Sequence, residues 1–178
     1  MGVHVRTVFD VQRASSSPES KGSKREKRSA LLPSTEAIDH ATAEYGRSGV
    51  ATLMAWRRAA HWQNFVSQIS SVLERTDNQT KFYLAADSEE AYGGLQHAFP
   101  HHIRMTSRRC EADRCDQRDC GALAYALIDL LNLARTRVII GSGYTTYGEV
   151  AAWMGGSTGR SLPMLIAGRD FGKNRETL

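Results

Sequence analysis

The sequence predicts an α/β domain in which a mainly parallel sheet carries helices on both faces. Short apolar segments alternate with longer segments of helical periodicity from one end of the chain to the other, which is typical of this class. Several of the apolar segments also run into a glycine-rich or polar turn, as strands of such sheets do. The 178 residues and an ordinary globular composition fit one domain over residues 1–178.

Five segments have the β-branched or apolar character of strands. The first, GVHVRTV at residues 2–8, alternates Val3 and Val5, and the last, LPMLIAG, ends in a glycine. We expect strands at residues 2–8, 81–87, 101–105, 138–140 and 162–168.

Helical patterns fill the intervals. Ser34 is a candidate N-cap for a helix that Gly46 closes, and residues 49–76 predict one long helix or two helices with a bend near His61. Residues 88–99 and 149–154 predict two short helices. Residues 121–135, GALAYALIDLLNLAR, are apolar almost all round, so we expect that helix to be buried on most sides.

A basic segment separates the first strand from the first helix. Its serines and charges offer little to bury, so we interpret residues 11–33 as a disordered surface insertion. Such runs also bind nucleic acid or act as import signals. A solvated insertion is the preferred interpretation, and no nucleic acid partner is expected. The whole formal net charge of +4 resides in its six basic and two acidic residues: Arg13, Lys21, Lys24, Arg25, Lys27, Arg28, Glu19 and Glu26.

Three cysteines, Cys110, Cys115 and Cys120, lie in RRCEADRCDQRDC. Zinc sites usually pair cysteines with two to four residues between them and add further Cys or His ligands. Here both gaps are four residues and His101 and His102 are nearby, which is a weak zinc signal. A disulfide in an oxidising compartment and free thiols in a reducing one both stay open. No metal is expected.

Polar residues follow the predicted strands where parallel sheets bind ligands, beyond the carboxyl ends. Arg6 follows the first strand, Asp87 and Ser88 the second, and the turn GSGYTTYGEVA, with Thr145 and Thr146, the fourth. An arginine fork and a helix N-terminus both suit a diphosphate. Each feature also has a structural explanation, namely a surface charge for Arg6 and helix capping for the others.

A carboxylate also lies inside the apolar helix. Asp129 needs a partner there, either a cation such as Arg135 or Arg137 or a ligand. A nucleotide diphosphate would use all four features together.

Three motifs resemble those of the fucosyltransferase superfamily that comprises α1,6-fucosyltransferases, the bacterial nodulation fucosyltransferase and protein O-fucosyltransferases. GVHVR resembles their strand ending in His-x-Arg. FYLAADSEEAY resembles their strand followed by Thr-Asp-Asp or Thr-Asp-Ser. ALIDLLNLARTRVIIGSGYTTYGEVAAWMGG resembles their last motif, with Asp129 at the family aspartate and Thr145, Thr146 and Tyr147 at its Ser-Ser-Phe. The motifs occur in family order and span nearly all of the chain except the insertion.

The resemblance implies a Rossmann-like domain, the donor-binding half of a GT-B fold, and inverting transfer of fucose from GDP-fucose to a glycan or protein acceptor. Arg6 would stabilise charge on the leaving GDP, and Thr145 and Thr146 would hold the same diphosphate. The remaining donor-side residues would be His4, Asp87, Ser88, Asp129 and Tyr147, with Tyr147 packing beside the base.

The sequence departs from the family at three places. Thr7 stands where many α1,6 enzymes have a second arginine, Ser88 replaces a second acid, and Thr-Thr-Tyr replaces Ser-Ser-Phe. The strand that begins at the second residue suggests a later part of a longer protein, so we expect an N-terminal acceptor domain elsewhere, and a Golgi or ER membrane anchor if the full protein follows the family. The sequon at Asn78 would matter only in such a lumen.

Two other functions stay open. One is a non-catalytic nucleotide- or sugar-binding module, and the other is an interaction protein whose basic insertion contacts nucleic acid.

Overall fold

The computed structural model describes residues 1–6, 35–108, 120–157 and 159–172. The expected insertion at 11–33, the Ser34 cap, Thr7, and Cys110 and Cys115 lie outside these residues. Cys120 is described only as the first residue of a helix.

Five strands form one parallel sheet. They are β1 (Gly2–Val5), β2 (Phe82–Ala86), β3 (Ile103–Arg104), β4 (Ile139–Ser142) and β5 (Met164–Ala167). Their order is β3-β2-β1-β4-β5, and every neighbouring pair is parallel, for example with Val3 opposite Leu84 and Ile140. The expected parallel α/β sheet is therefore confirmed, and its order is that of a doubly wound, Rossmann-like domain.

Five helices connect the strands. They are α1 (Thr35–Ala59), α2 (Trp62–Arg75), α3 (Glu89–Ala98), α4 (Cys120–Ala134) and α5 (Thr146–Gly155). Gly46, at φ 71°, interrupts α1 where the sequence predicts a helix end, because a glycine adopts this left-handed conformation without a Cβ clash. The predicted bend near His61 is the break between α1 and α2.

The two faces of the sheet have separate cores. On one face Val3 and Val5 pack with Phe65 and Ile69 of α2 and Leu95 of α3. On the other, Ile139 packs with Leu133 of α4 and Ala151 of α5. A strand that is covered on both sides buries its odd- and even-numbered residues alike. All four residues of β1 and all four of β4 are buried.

The expectation that α4 is buried on most sides is wrong. Asp129 and Leu133 are buried, but an outer stripe of large apolar side chains is 40–61% exposed. Within the described residues α4 packs mainly against the sheet and α5, and Asp129 also contacts Arg108 and Tyr92 of α3. These contacts leave the outer stripe of apolar side chains exposed. The exposed residues are Leu123, Leu127, Ile128 and Leu131. None of the described helices is both long and apolar enough to cross a membrane.

Candidate functional site

The strand order fixes where a ligand would bind. From β1 the chain continues to β2 on one side, whereas β4 pairs with β1 on the other side. In doubly wound sheets this reversal opens a crevice beyond the carboxyl ends of the two central strands. Here those ends are Val5 of β1, followed by Arg6, and Ser142 of β4, followed by the turn into α5. Two of the predicted features therefore lie at the topological switch point.

Arg6 is fixed by its backbone, whereas its side chain stays accessible. Its amide donates a hydrogen bond to Ser142 Oγ at 2.7 Å, and that hydroxyl donates to the carbonyl of His4 at 3.2 Å. The guanidinium Nε lies 3.5 Å from Asp87 Oδ2, with the Arg6 side chain 38% exposed and that of Asp87 13% exposed. The structure thus brings together the polar residues that follow β1 and β2.

A second arginine reaches the same place from α1. Arg57 Nη1 donates to the carbonyl oxygen of Arg6 at 3.2 Å. Burial lowers the pKa of Arg57, the Arg6 guanidinium lowers it further, and Asp87 raises it. Two guanidinium groups and one carboxylate therefore share the end of β1.

The turn between β4 and α5 presents a helix N-terminus to the crevice. Thr145 is the N-cap, and its hydroxyl accepts a weak hydrogen bond from the Tyr147 amide at 3.4 Å, while Thr146 is exposed in the first turn. Trp56 of α1 lies directly over Gly143, where an added Cβ would come within 2.1 Å of the indole ring. A larger residue at Gly143 would push α1 away from the end of β4.

Ser88 caps α3 as Thr145 caps α5. Its side chain accepts a hydrogen bond from the Ala91 amide at 3.2 Å and begins α3. A donor-binding role for Ser88, Thr145 and Thr146 remains a prediction, because a capping hydroxyl and an anion use the same end of a helix.

His4 lies on the face of β1 that α5 covers. The residue is 5% exposed, its ring centroid is 5.0 Å from that of Tyr147, and its Nδ1 has no hydrogen-bond partner among the described residues. Burial, followed by the charges of Arg6 and Arg57, lowers the pKa of His4 to about 3. His4 is therefore neutral at physiological pH. Gly148 makes room for it, since a Cβ there would lie 3.2 Å from Nδ1.

Asp129 is held by protein groups. Its carboxylate is 3% exposed, pairs with the Arg108 guanidinium, and accepts hydrogen bonds from the hydroxyls of Tyr83 at 2.7 Å and Tyr92 at 3.3 Å. The expected need for a partner is met by Arg108 rather than by Arg135 or Arg137. The charge of Asp129 contributes, after burial, to a raised pKa of Tyr92.

Tyr147 is also directed inward. Its hydroxyl donates to the carbonyl of Ala126 in α4, and its pKa is raised by burial and then by Asp129. Its ring lies beside that of His4, between α5 and β1. Contacts of Asp129 and Tyr147 with a nucleotide remain predictions.

Sequence reasoning missed Arg57, although a signal existed. Arg57 follows Leu53 by four residues and precedes Ala60 by three, so these residues share one helix face, and Ala60 is fully buried. Arg58 falls outside that face and is exposed. Arg108, Tyr83 and Tyr92 were missed because they come from separate segments that only the fold brings together.

A second cluster of cations lies at the amino-terminal edge of the sheet. It lines a shallow depression, and each of its arginine and lysine side chains is exposed. Since parallel sheets bind ligands at the opposite edge, we do not assign a site here. The cations are Lys81, Arg104, Arg135 and Arg137. No group of three or more metal-ligating side chains occurs within the described part of the chain.

The chain was compared with known families, proteins and structures. No family model matches it, and no curated protein does. Among solved structures, it aligns with a crystal structure of POFUT1 in complex with GDP-fucose at 14% identity and a TM-score of 0.45, over 94% of this chain and 40% of that one. The chain thus spans well under half the length of that protein.

Proposed function

We propose that this chain binds GDP-fucose and forms the donor-binding part of a fucosyltransferase-like glycosyltransferase. The observation that carries the proposal is the meeting of Arg6 and the N-terminus of α5 at the switch point between β1 and β4. A guanidinium and a helix N-terminus at the same edge of the sheet both attract the negative charge of a diphosphate. The three motifs similar to those of fucosyltransferases narrow the nucleotide to GDP and the sugar to fucose.

The proposed reaction is inverting transfer to an acceptor hydroxyl. The acceptor oxygen forms a bond to the anomeric carbon of fucose while the bond from that carbon to the phosphate oxygen breaks. The electron pair leaves with GDP, and the acceptor proton passes to a base that the proposal places in another domain. Arg6 would stabilise the charge that develops on the departing diphosphate. No metal is proposed, because the guanidinium and the amides of α5 supply positive potential.

The acceptor side belongs to the proposal as well. A glycan or protein acceptor would approach from a second, N-terminal domain, as in a GT-B enzyme, and catalysis would need both halves. A chain that binds the donor without hydrolysing or transferring it would be a non-catalytic binding module, and a donor-hydrolysis assay separates this alternative from the enzyme.

Calorimetry of the purified chain tests the proposal. GDP and GDP-fucose should bind more tightly than UDP or NAD. Arg6→Ala should weaken the binding of GDP about tenfold to a hundredfold, since a charge-assisted contact contributes roughly 1.5–3 kcal/mol to the binding free energy. Guanosine, which has no phosphate, should be affected much less. Thr145→Ala should act in the same direction.

Arg47→Ala is the matched control, because Arg47 is an exposed arginine of α1. It should leave all affinities unchanged. Equal binding of all four nucleotides by a folded protein would refute GDP as the ligand. Unchanged GDP affinity in folded Arg6→Ala would make Arg6 a surface charge.

A further inference from the structure

Positive charge exceeds negative charge at the end of β1. Arg6 Nε lies 3.5 Å from Asp87, and Arg57 Nη1 contacts the carbonyl of Arg6 at 3.2 Å. Both guanidinium groups are close enough to His4 to disfavour its protonation. His4 is neutral, so this cluster of Arg6, Arg57, Asp87 and His4 carries two positive charges and one negative charge.

The side chain of Arg57 is incompletely bonded. Its Nε is buried and has no hydrogen-bond partner among the described residues, although Nη1 of the same guanidinium donates a hydrogen bond to the carbonyl of Arg6. Buried donors are rarely left without a partner, and a guanidinium has five N–H groups in a fixed fork. An anion beside Arg57 would satisfy this donor and balance the surplus charge at the same time.

The position of Arg57 also fits an anion at the switch point. The preceding residue, Trp56, covers the turns that follow β4 and β5 at Gly143 and Gly168. This contact places α1 across the carboxyl edge of the sheet, and Arg57 reaches from it to the residue that follows β1. Arg57 therefore lies at the same crevice as Arg6 and is attached to a different element.

We propose that Arg57 is a second phosphate-binding residue, which holds the diphosphate of the donor together with Arg6. This inference rests on the proposed function for the identity of the nucleotide. A diphosphate carries at least two negative charges at neutral pH, and each of two guanidinium groups can donate two parallel hydrogen bonds to a pair of phosphate oxygens. Asp87 would keep the two guanidinium groups at their spacing by offsetting their mutual repulsion.

Calorimetry with GDP and with inorganic pyrophosphate tests the inference on the whole chain. Arg57→Gln should weaken both ligands by about tenfold to a hundredfold, as expected for a charged hydrogen bond. The matched control is Arg58→Gln, the exposed neighbour on the same helix, which should change either affinity by less than about twofold. Melting temperatures report folding, and if Arg57→Gln does not fold, Arg57→Lys should fold and lose about threefold to tenfold, since it keeps the charge without the fork.

The Arg6→Ala background separates direct binding from positioning. If Arg57 contacts phosphate, Arg57→Gln should still weaken pyrophosphate severalfold when Arg6 is absent. If Arg57 acts only by holding Arg6, the second substitution should have no further effect, and the inference is overturned. If folded Arg57→Gln binds GDP as tightly as the wild type while Arg6→Ala binds it more weakly, the role of Arg57 is overturned and the proposed function is not. Pyrophosphate binding that depends on Arg57 without a preference for GDP over UDP would support the two-arginine site and refute GDP-fucose as its ligand.

Discussion

At the scale of single residues, His4 is an imidazole held in a buried site near positive charge. It is buried between β1 and α5, it stacks against Tyr147, and it lies near two arginines. Burial disfavours a proton on the imidazole most, and the charges of Arg6 and Arg57 add to the effect. A neutral imidazole beside the proposed phosphate site would add a polar group without adding charge.

The depressed pKa of His4 predicts a specific pH dependence of stability. The unfolded chain binds a proton at His4 near pH 6.5, whereas the folded chain does so only near pH 3. Between these values the unfolded state holds more protons, so stability is lost as the pH falls below about 6.5. The contribution of His4 to the slope should approach about 1.4 kcal/mol per pH unit.

Urea unfolding of the wild type and His4→Gln between about pH 6.5 and 4 measures this contribution. Carboxylates contribute to the slope of both proteins, so the difference between the two slopes isolates His4. We expect the variant to have the flatter dependence, whatever its absolute stability. Parallel curves would show that His4 titrates in the folded protein as it does in the unfolded one.

At the scale of elements, α4 shows what apolar composition alone leaves undetermined. A helix that is apolar all round reads as buried, but only its inner face contacts the sheet and α5. Ten large apolar side chains are exposed in the described residues, and seven of them belong to α4 or α5. Those seven are Leu123, Leu127, Ile128, Leu131, Val150, Trp153 and Met154.

Two leucines of α4 form a matched pair for testing this face. Leu133 is fully buried and Leu127 is 55% exposed. Leu133→Ala should lower the free energy of unfolding by about 2–5 kcal/mol, because it removes packed atoms and leaves a cavity. Leu127→Ala should change it by less than about 0.5 kcal/mol. Both substitutions place alanine in the same helix, so helix propensity cancels in the comparison.

Urea titration gives both values from the midpoint and the slope. A loss at Leu127 as large as that at Leu133 would mean that the outer face of α4 is covered in solution.

At the scale of the whole molecule, alternation of strands and helices was sufficient to predict the parallel sheet and its two covered faces. The strand order was not predictable in this way, because the spacing of elements along the chain does not determine on which edge of the growing sheet each new strand pairs. The rule about carboxyl ends put Arg6 and Asp87 at the same edge of the sheet, and in the structure Arg6 Nε lies 3.5 Å from Asp87 Oδ2. The helix-face pattern signals that Arg57 points inward, but only tertiary packing brings Arg57 to β1 and Arg108 to Asp129, so their partners were not predictable.

The basic segment at 11–33 is predicted to be dispensable for folding, because the described residues form the sheet and both cores. The five strands and the two clusters of buried residues in the described part of the chain form from other residues, and the composition of 11–33 offers little to bury. Replacing residues 11–33 with a short Gly-Ser linker should therefore preserve the fold. A shorter connection lowers the entropy cost of closure by less than about 1 kcal/mol, so the melting temperature should change little.

GDP affinity should also survive this replacement, because Arg6, Arg57 and the N-terminus of α5 are all retained. Calorimetry and thermal unfolding of the shortened chain measure both quantities, and a Gly-Ser segment of the original length serves as the control for composition. Loss of folding in both variants would show that the basic segment belongs to the core. Loss of GDP binding with the fold intact would assign its lysines and arginines to the nucleotide site. Retention of both properties would leave the switch point of the sheet as the source of the affinity.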